Sequence, residues 1–235
     1  MNTAFQENQV PNTNLSYYRI RKWIGTFGIL LPIFAPIIAD EKLTSISHYY
    51  YTEAGVFFTS LLILIGVFLA SYHGYDKVDN IITWVGGISI ALVAIIPTPL
   101  DECCTGIGPT PICSCEGDML LGFIPPQIIH FGGAVLFFIC MAIMCVRQFT
   151  QGDKSEPGKK WRNLIYNICG YGIFATLGYS GVMIFGGYVA EESRFIFRVE
   201  VVMLVLFAAA WLLKGEALKD IDNGLEFIKE KFSKN

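Results

Sequence analysis

The sequence is poor in charged residues and lacks the motifs of many soluble enzymes. Asp, Glu, Lys and Arg make up 16 % of its 235 residues, whereas a soluble globular domain carries about 25 %. It has no glycine-rich loop of the P-loop or dinucleotide-binding type and no Gly-x-Ser-x-Gly motif, so an ATP-driven pump or a nicotinamide enzyme has no support. A pI of about 5.6 without a dense basic patch argues against nucleic-acid binding. We predict neither a cofactor nor a metal.

Long apolar runs are the main feature of the sequence, which is 53 % hydrophobic. A helix that crosses a bilayer needs about 20 mostly apolar residues, and inside lipid such a run must be helical because its backbone has to bond internally. Six runs qualify, at 23–39, 55–72, 81–97, 128–146, 164–189 and 195–213. We predict an all-α membrane protein: a six-helix transmembrane bundle at 23–214, an N-terminal segment at 1–22 and a C-terminal tail at 215–235.

The positions of Lys and Arg predict the orientation, because basic residues stay on the cytoplasmic side of a membrane. With six spans, Lys42, Arg194 and Arg198 fall on one side, and the other fourteen of the 17 basic residues fall on the opposite side. We therefore predict a multi-pass protein of the cell (cytoplasmic) membrane with both termini in the cytoplasm.

Four of the seven cysteines fall in the predicted outer loop between the third and fourth runs. They are Cys103, Cys104, Cys113 and Cys115. An oxidising exterior favours disulfide bonds, and adjacent cysteines rarely pair with each other. We predict two bridges between the two pairs, with the connectivity left open. A zinc site is the alternative, although the spacing differs from the usual two-residue one; free thiols are the third.

Several ionisable residues are predicted near the outer ends of the helices. Such groups are costly in a membrane and usually face a cavity or each other. The topology brings five of them to one level: His48, Asp101, His130, Arg198 and Glu200. In one interpretation Glu200 pairs with Arg198, or with Tyr179, and locks the bundle. In the other, His48, His130 and a carboxylate such as Asp101 or Glu200 bind a metal or transfer protons and activate water.

The segment 43–53 is too polar to span a membrane and too aromatic for a plain loop. We predict a re-entrant or surface segment on the outer face. It is either an aromatic belt with Thr52 capping the second helix, or one wall of a site. In the second case Ser47, Tyr49 and Tyr50, together with Arg198, would contact a ligand.

The tail has the pattern of an amphipathic helix. Leu218, Ile221, Leu225, Ile228 and Phe232 follow one another at steps of three or four residues. Such a helix lies along the inner leaflet or docks a protein partner. The fifth run is rich in glycine, which lets helix backbones approach closely.

Short motifs spread through the bundle resemble those of a bacterial six-helix integral membrane protein family of uncharacterised function. They are Ser-Ile-Ser-His-Tyr-Tyr-Tyr-Thr at 45–52, Tyr-His-Gly-Tyr-Asp at 72–76, Ile-His-Phe-Gly-Gly-Ala at 129–134, Ile-Cys-Gly-Tyr at 168–171, Glu200, and Trp-Leu-Leu-Lys-Gly-Glu at 211–216. More distantly, the chain is similar to the damage-regulated autophagy modulator-like membrane proteins. The resemblance implies six helices and a bacterial cytoplasmic membrane. It does not point to any particular activity.

Three classes of function remain open. The leading one is a non-catalytic protein that interacts with the lipid bilayer and a lipid or small molecule, as a sensor or permease-like component. The second is an outward-facing membrane hydrolase, because the Ser, His and Asp residues at the helix ends resemble the alkaline ceramidase and progestin-receptor-like superfamily. The seven helices and terminal His-x-x-x-His pair of that superfamily are missing. The third is a structural subunit whose tail binds a partner. A cavity lined by His48, His130 and Glu200 would favour the first two.

Overall fold

The computed structural model describes residues 10–98, 119, 124–152, 158–190 and 193–215, and these residues form six long helices and no strand. The helices are α1 Val10–Ala39, α2 Gly55–Ala70, α3 Lys77–Ile95, α4 Pro126–Ile143, α5 Lys159–Phe185 and α6 Phe195–Lys214. A 3₁₀ helix, Ser47–Tyr51, precedes α2, and a π-helical segment, Met144–Gln148, continues α4. All six predicted runs are therefore helical.

The six helices form a ring in which each packs against the next and α6 packs against α1. The chain runs up and down, so its connections alternate between two ends of the bundle. We call the end with residues 40–54, 96–98, 186–190 and 193–194 the Glu200 end. The opposite end, with residues 19–22, 71–76 and 149–152, is the basic end.

Five of the helices are long and apolar enough to cross a membrane, and α2, with 16 residues, is shorter. Hydrogen bonds from Ser71 N to Val67 O and from Tyr72 N to Leu69 O continue its turns to the end of the predicted run. Large apolar side chains cover the outside of the ring; Val182 is 66 % exposed and Phe185 is 93 % exposed. An outer surface of this kind suits an apolar surrounding.

Several helices begin earlier in the chain than the apolar runs that predicted them, because polar residues are included in their first turns. α3 begins at Lys77 rather than at residue 81, because an Asp76 carboxyl oxygen accepts a hydrogen bond from Asp79 N at 2.8 Å. This is the usual bond of a helix N-cap. α1 begins at Val10, so a helix occupies much of the segment 1–22 that was predicted to lie before the bundle.

Glycines set the closest helix contacts, although mostly outside α5. A Cβ on Gly66 of α2 would lie 2.8 Å from Gly87 O of α3, and a Cβ on Gly87 would lie 2.7 Å from Gly66 O. In α5, a Cβ on Gly170 would lie 2.5 Å from Val146. Gly178 has nothing within 4 Å of that position, so the packing role predicted for the α5 glycines holds for only some of them.

An ion-pair network joins α3 to α4 at the basic end. Arg147 donates to Asp76 at 2.6 Å and to Asp79, which is fully buried, at 3.1 Å. Asp79 also accepts a hydrogen bond from Tyr75 N at 3.1 Å. The hydrogen bond from Asp79 N, with the charge of Arg147 assisting, holds the pKa of Asp76 below its ordinary value of 3.8.

The Asp76 network is expected to stabilise the bundle above pH 3.8 and to lose this effect as the pH falls below that value, because a lowered pKa favours the folded state only while the carboxylate is ionised. Asp76→Asn keeps a capping oxygen but removes the charge. The variant should be less stable than the wild type at neutral pH, and the difference should shrink by about pH 3. Unfolding midpoints of both proteins across this range are the measurement. A difference that stays constant would contradict the ion pair.

Some predicted features lie outside the described residues. These are Asp101, the proposed bridges of Cys103, Cys104, Cys113 and Cys115, and the amphipathic tail after Gly215. The other three cysteines, Cys140, Cys145 and Cys169, are free thiols buried in the bundle.

Candidate functional site

Glu200 of α6 binds the segment that joins α1 to α2. Its carboxyl oxygens accept hydrogen bonds from Ser45 Oγ at 3.0 and 3.1 Å and from Ile46 N at 2.7 Å. Ser45 Oγ in turn accepts a bond from Ser47 N at 3.1 Å. One acidic side chain thus fixes the start of the 3₁₀ helix against α6.

The partners predicted for Glu200 lie elsewhere. Arg198 is exposed. It does not face Glu200, because residues two apart on a helix point in different directions. Tyr179 packs against Phe195, with ring centroids 5.7 Å apart. The interpretation of a lock within the bundle is thus kept, but its partners are Ser45 and Ile46.

His130 of α4 holds the same segment from the other side. The side chain is 1 % exposed, and its Nδ1 lies 2.6 Å from Ile96 O while its Nε2 lies 2.9 Å from Ser47 Oγ. A carbonyl only accepts, so in the neutral ring the proton is on Nδ1 and Nε2 accepts from the serine hydroxyl. His130 therefore connects the end of α3 to the 3₁₀ helix.

His48 forms a hydrogen-bonded contact within its own segment. Its Nδ1 lies 3.1 Å from Thr44 Oγ1. Within the part of the chain that the structure describes, no three His, Cys, Asp or Glu side chains are placed to hold a metal ion. Of the candidates for the predicted hydrolase, His130 and Glu200 both contact the segment 45–47, His130 through Ser47 and Glu200 through Ser45 and the backbone N–H of Ile46.

Tyr49 and Tyr51 are buried anchors and not members of an aromatic belt, whereas Tyr50 is half-buried and packs edge-on against Tyr51, with ring centroids 5.2 Å apart. Tyr49 is fully buried, donates to Glu41 O at 2.9 Å and accepts from Leu43 N at 3.2 Å. Tyr51 donates to Thr98 O at 2.6 Å. Thr52 donates to Tyr49 O and accepts from Ala54 N, so it closes the turn before α2 and does not cap the helix itself.

A small cavity lies inside the ring directly beside these groups. Its volume is about 40 Å³, which is room for about three water molecules or the end of an apolar chain. Only two of its lining residues are polar, Ser47 and Glu200. The others are Leu31, Ile46, Phe58, Leu62, Ile90, Val93, Ala134, Phe137, Phe138 and Leu204. Ala134 and Glu200 are the lining residues that are not fully buried.

The site therefore consists of a 3₁₀ segment held between His130 and Glu200 beside an apolar cavity. The sequence singled out Ser47, His130 and Glu200, while it missed Ser45 and the carbonyl of Ile96. The spacing Ser45-x-Ser47 in a polar stretch beside an apolar run was the available signal. No family model, curated protein or solved structure matches this chain.

Proposed function

We propose that the chain is a six-span protein of a bacterial cytoplasmic membrane that binds an amphiphilic small molecule or lipid at the Glu200 end. The observation that carries the proposal is the cavity. It is apolar over most of its wall and has a hydroxyl group and a carboxyl group at one place. Binding sites for small molecules combine an apolar wall with a few fixed polar groups in this way.

The topology is part of this proposal. The shorter α2 is counted as the sixth span, because its hydrogen-bonded turns continue to Tyr72. Arg21, Arg147 and Lys214 all lie at the basic end, which we therefore assign to the cytoplasm. The Glu200 end then faces outward, and both termini face inward.

The polar groups define the kind of ligand that fits. Both Ser45 and Ile46 already donate to Glu200, and a carboxyl group with two oxygens has room for further donors. A ligand with hydroxyl groups at one end and an apolar chain at the other would place its hydroxyls near Glu200. The end of its chain would enter the cavity between Phe58 and Phe137.

The test uses 1-O-oleylglycerol, a glycerol ether without an ester bond, as the probe and native mass spectrometry of the full chain released from detergent. One bound molecule per wild-type chain is expected. Ala134→Phe fills the cavity and should weaken binding at least tenfold, about 1.4 kcal/mol. Val135→Phe is the matched control, because Val135 is 47 % exposed on the outside of the same helix.

The two variants make the outcome decisive. Equal binding by Ala134→Phe and the wild type would show that the probe sits elsewhere, and the absence of binding by the wild type would overturn the proposal. Loss of binding by both variants would mark a general effect of added bulk on α4 and would also count against the cavity.

A further inference from the structure

In the hydrogen bond between Ser47 and His130, the serine is the donor, because Ile96 O can only accept and so places the ring proton on the other nitrogen. Ile96 O accepts a hydrogen bond from the protonated Nδ1 of His130. The unprotonated Nε2 therefore accepts a hydrogen bond from Ser47 Oγ at 2.9 Å. A serine whose hydroxyl proton points at a histidine, which is itself oriented by a third group, is the arrangement of an activated nucleophile. Here a backbone carbonyl takes the place of the usual carboxylate.

We propose that Ser47 is a nucleophile for acyl transfer, with His130 as its general base, and that the substrate is a lipid ester. This rests on the proposed function, because the acyl chain has to occupy the cavity that Ser47 lines. Ser47 and His130 are buried, 8 % and 1 % exposed, and most of the surrounding wall is apolar, so the pair is shielded from bulk water. Glu200 is a positioning residue, because it acts through Ser45 and Ile46 on the segment that carries Ser47.

The reaction balances with water as the only co-reactant. Ser47 Oγ bonds to the ester carbonyl carbon as His130 Nε2 takes the hydroxyl proton. The bond from that carbon to the alcohol oxygen breaks, and the alcohol leaves with the proton from His130. Water then attacks the acyl-serine and gives a proton to His130, and Ser47 leaves and regains it. An ester and water become a carboxylic acid and an alcohol.

A fluorophosphonate probe that phosphonylates activated serines tests this inference on the purified full chain in detergent. We expect the wild type to be labelled, with the added mass mapped to the peptide that contains Ser47. His130→Gln should slow labelling by about a hundredfold or more, because general-base assistance contributes about that much. Ser71→Ala is the control that should label normally, since Ser71 is exposed at the basic end and donates to Val67 O.

Two further readouts separate a nucleophile from a structural serine. Ser47→Ala should release no oleate from 1-monooleoylglycerol, whereas the wild type and the Ser71→Ala control should release oleate and glycerol. His130→Gln should slow the release of oleate by about the same factor as it slows labelling.

The outcomes also separate the inference from the proposed function. A wild type that binds the glycerol ether but is not labelled on Ser47 would overturn the inference and leave the binding function standing. A wild type that neither binds nor labels would overturn both. Mapping the label on the wild type does not depend on whether any variant folds.

Discussion

Trp211→Ala is expected to lower the free energy of unfolding by about 3–5 kcal/mol, the usual loss when a buried tryptophan is truncated. Trp211 is fully buried near the basic end. Its ring lies edge-on to Tyr72 and Phe149, with centroids 5.3 and 5.0 Å apart, and 6.2 Å from Phe207. Truncation to alanine would leave a void among these rings and remove their dispersion contacts. Such contacts hold helices together in a membrane, where lipid weakens the hydrophobic effect.

Trp211→Phe is the matched control. The indole Nε1 has no hydrogen-bond partner among the described residues, so phenylalanine removes an unsatisfied donor while it keeps an aromatic ring among its neighbours. This variant should recover most of the stability that alanine loses. Unfolding in mixed micelles with a rising fraction of denaturing detergent is the measurement. If the alanine variant unfolded at the same point as the phenylalanine variant, the aromatic cluster would not be what joins these helices.

Gly66→Ala is expected to destabilise the bundle by about 1–3 kcal/mol, because added volume in a packed contact forces helices apart. The nearest atom to the new methyl group would be Gly87 O at 2.8 Å, a backbone atom that cannot rotate away. The clash is reciprocal, since a methyl group on Gly87 meets Gly66 O. The new methyl group can therefore be accommodated only if α2 and α3 move apart.

Gly178→Ala provides the opposite case within the same fold. Nothing lies within 4 Å of a Cβ at this position of α5, and alanine is favoured over glycine in a helix by about 1 kcal/mol. Gly178→Ala should therefore leave the unfolding midpoint unchanged or raise it, whereas Gly66→Ala lowers it in the same mixed-micelle assay. Equal effects of the two substitutions would mean that helix propensity, and not the crossing of α2 with α3, controls stability.

The helices were predictable from the sequence because the length of an apolar run is a local property. All six runs are helices in the structure. Their ends were less predictable, since a single polar side chain such as Asp76 moves the start of α3 by four residues. Helices that follow one another in the chain also pack against each other around the ring, as consecutive elements usually do.

The contacts of the site were less predictable, because they join distant positions. Ser45 and Glu200 are 155 residues apart, and Ser47 and His130 are 83 apart. The charge pattern placed His130 and Glu200 at one level of the membrane, but hydropathy does not say which side chain faces which. Arg198 shows the limit, since its nearness to Glu200 in the sequence suggested a pair that helix geometry does not allow.

The hold of α6 on the first connecting segment has a consequence for the order of assembly. Phe197 N donates to Thr44 O, and Arg194 Nε donates to Leu43 O, so two carbonyl groups of the segment after α1 find their donors at the start of α6, far along the chain. Until α6 has been inserted, the polar groups of residues 43–46 lack these bonds inside the nascent bundle. The segment after α1 can therefore take up its final structure only once α6 has been synthesised, and a chain truncated before residue 194 would lack these bonds.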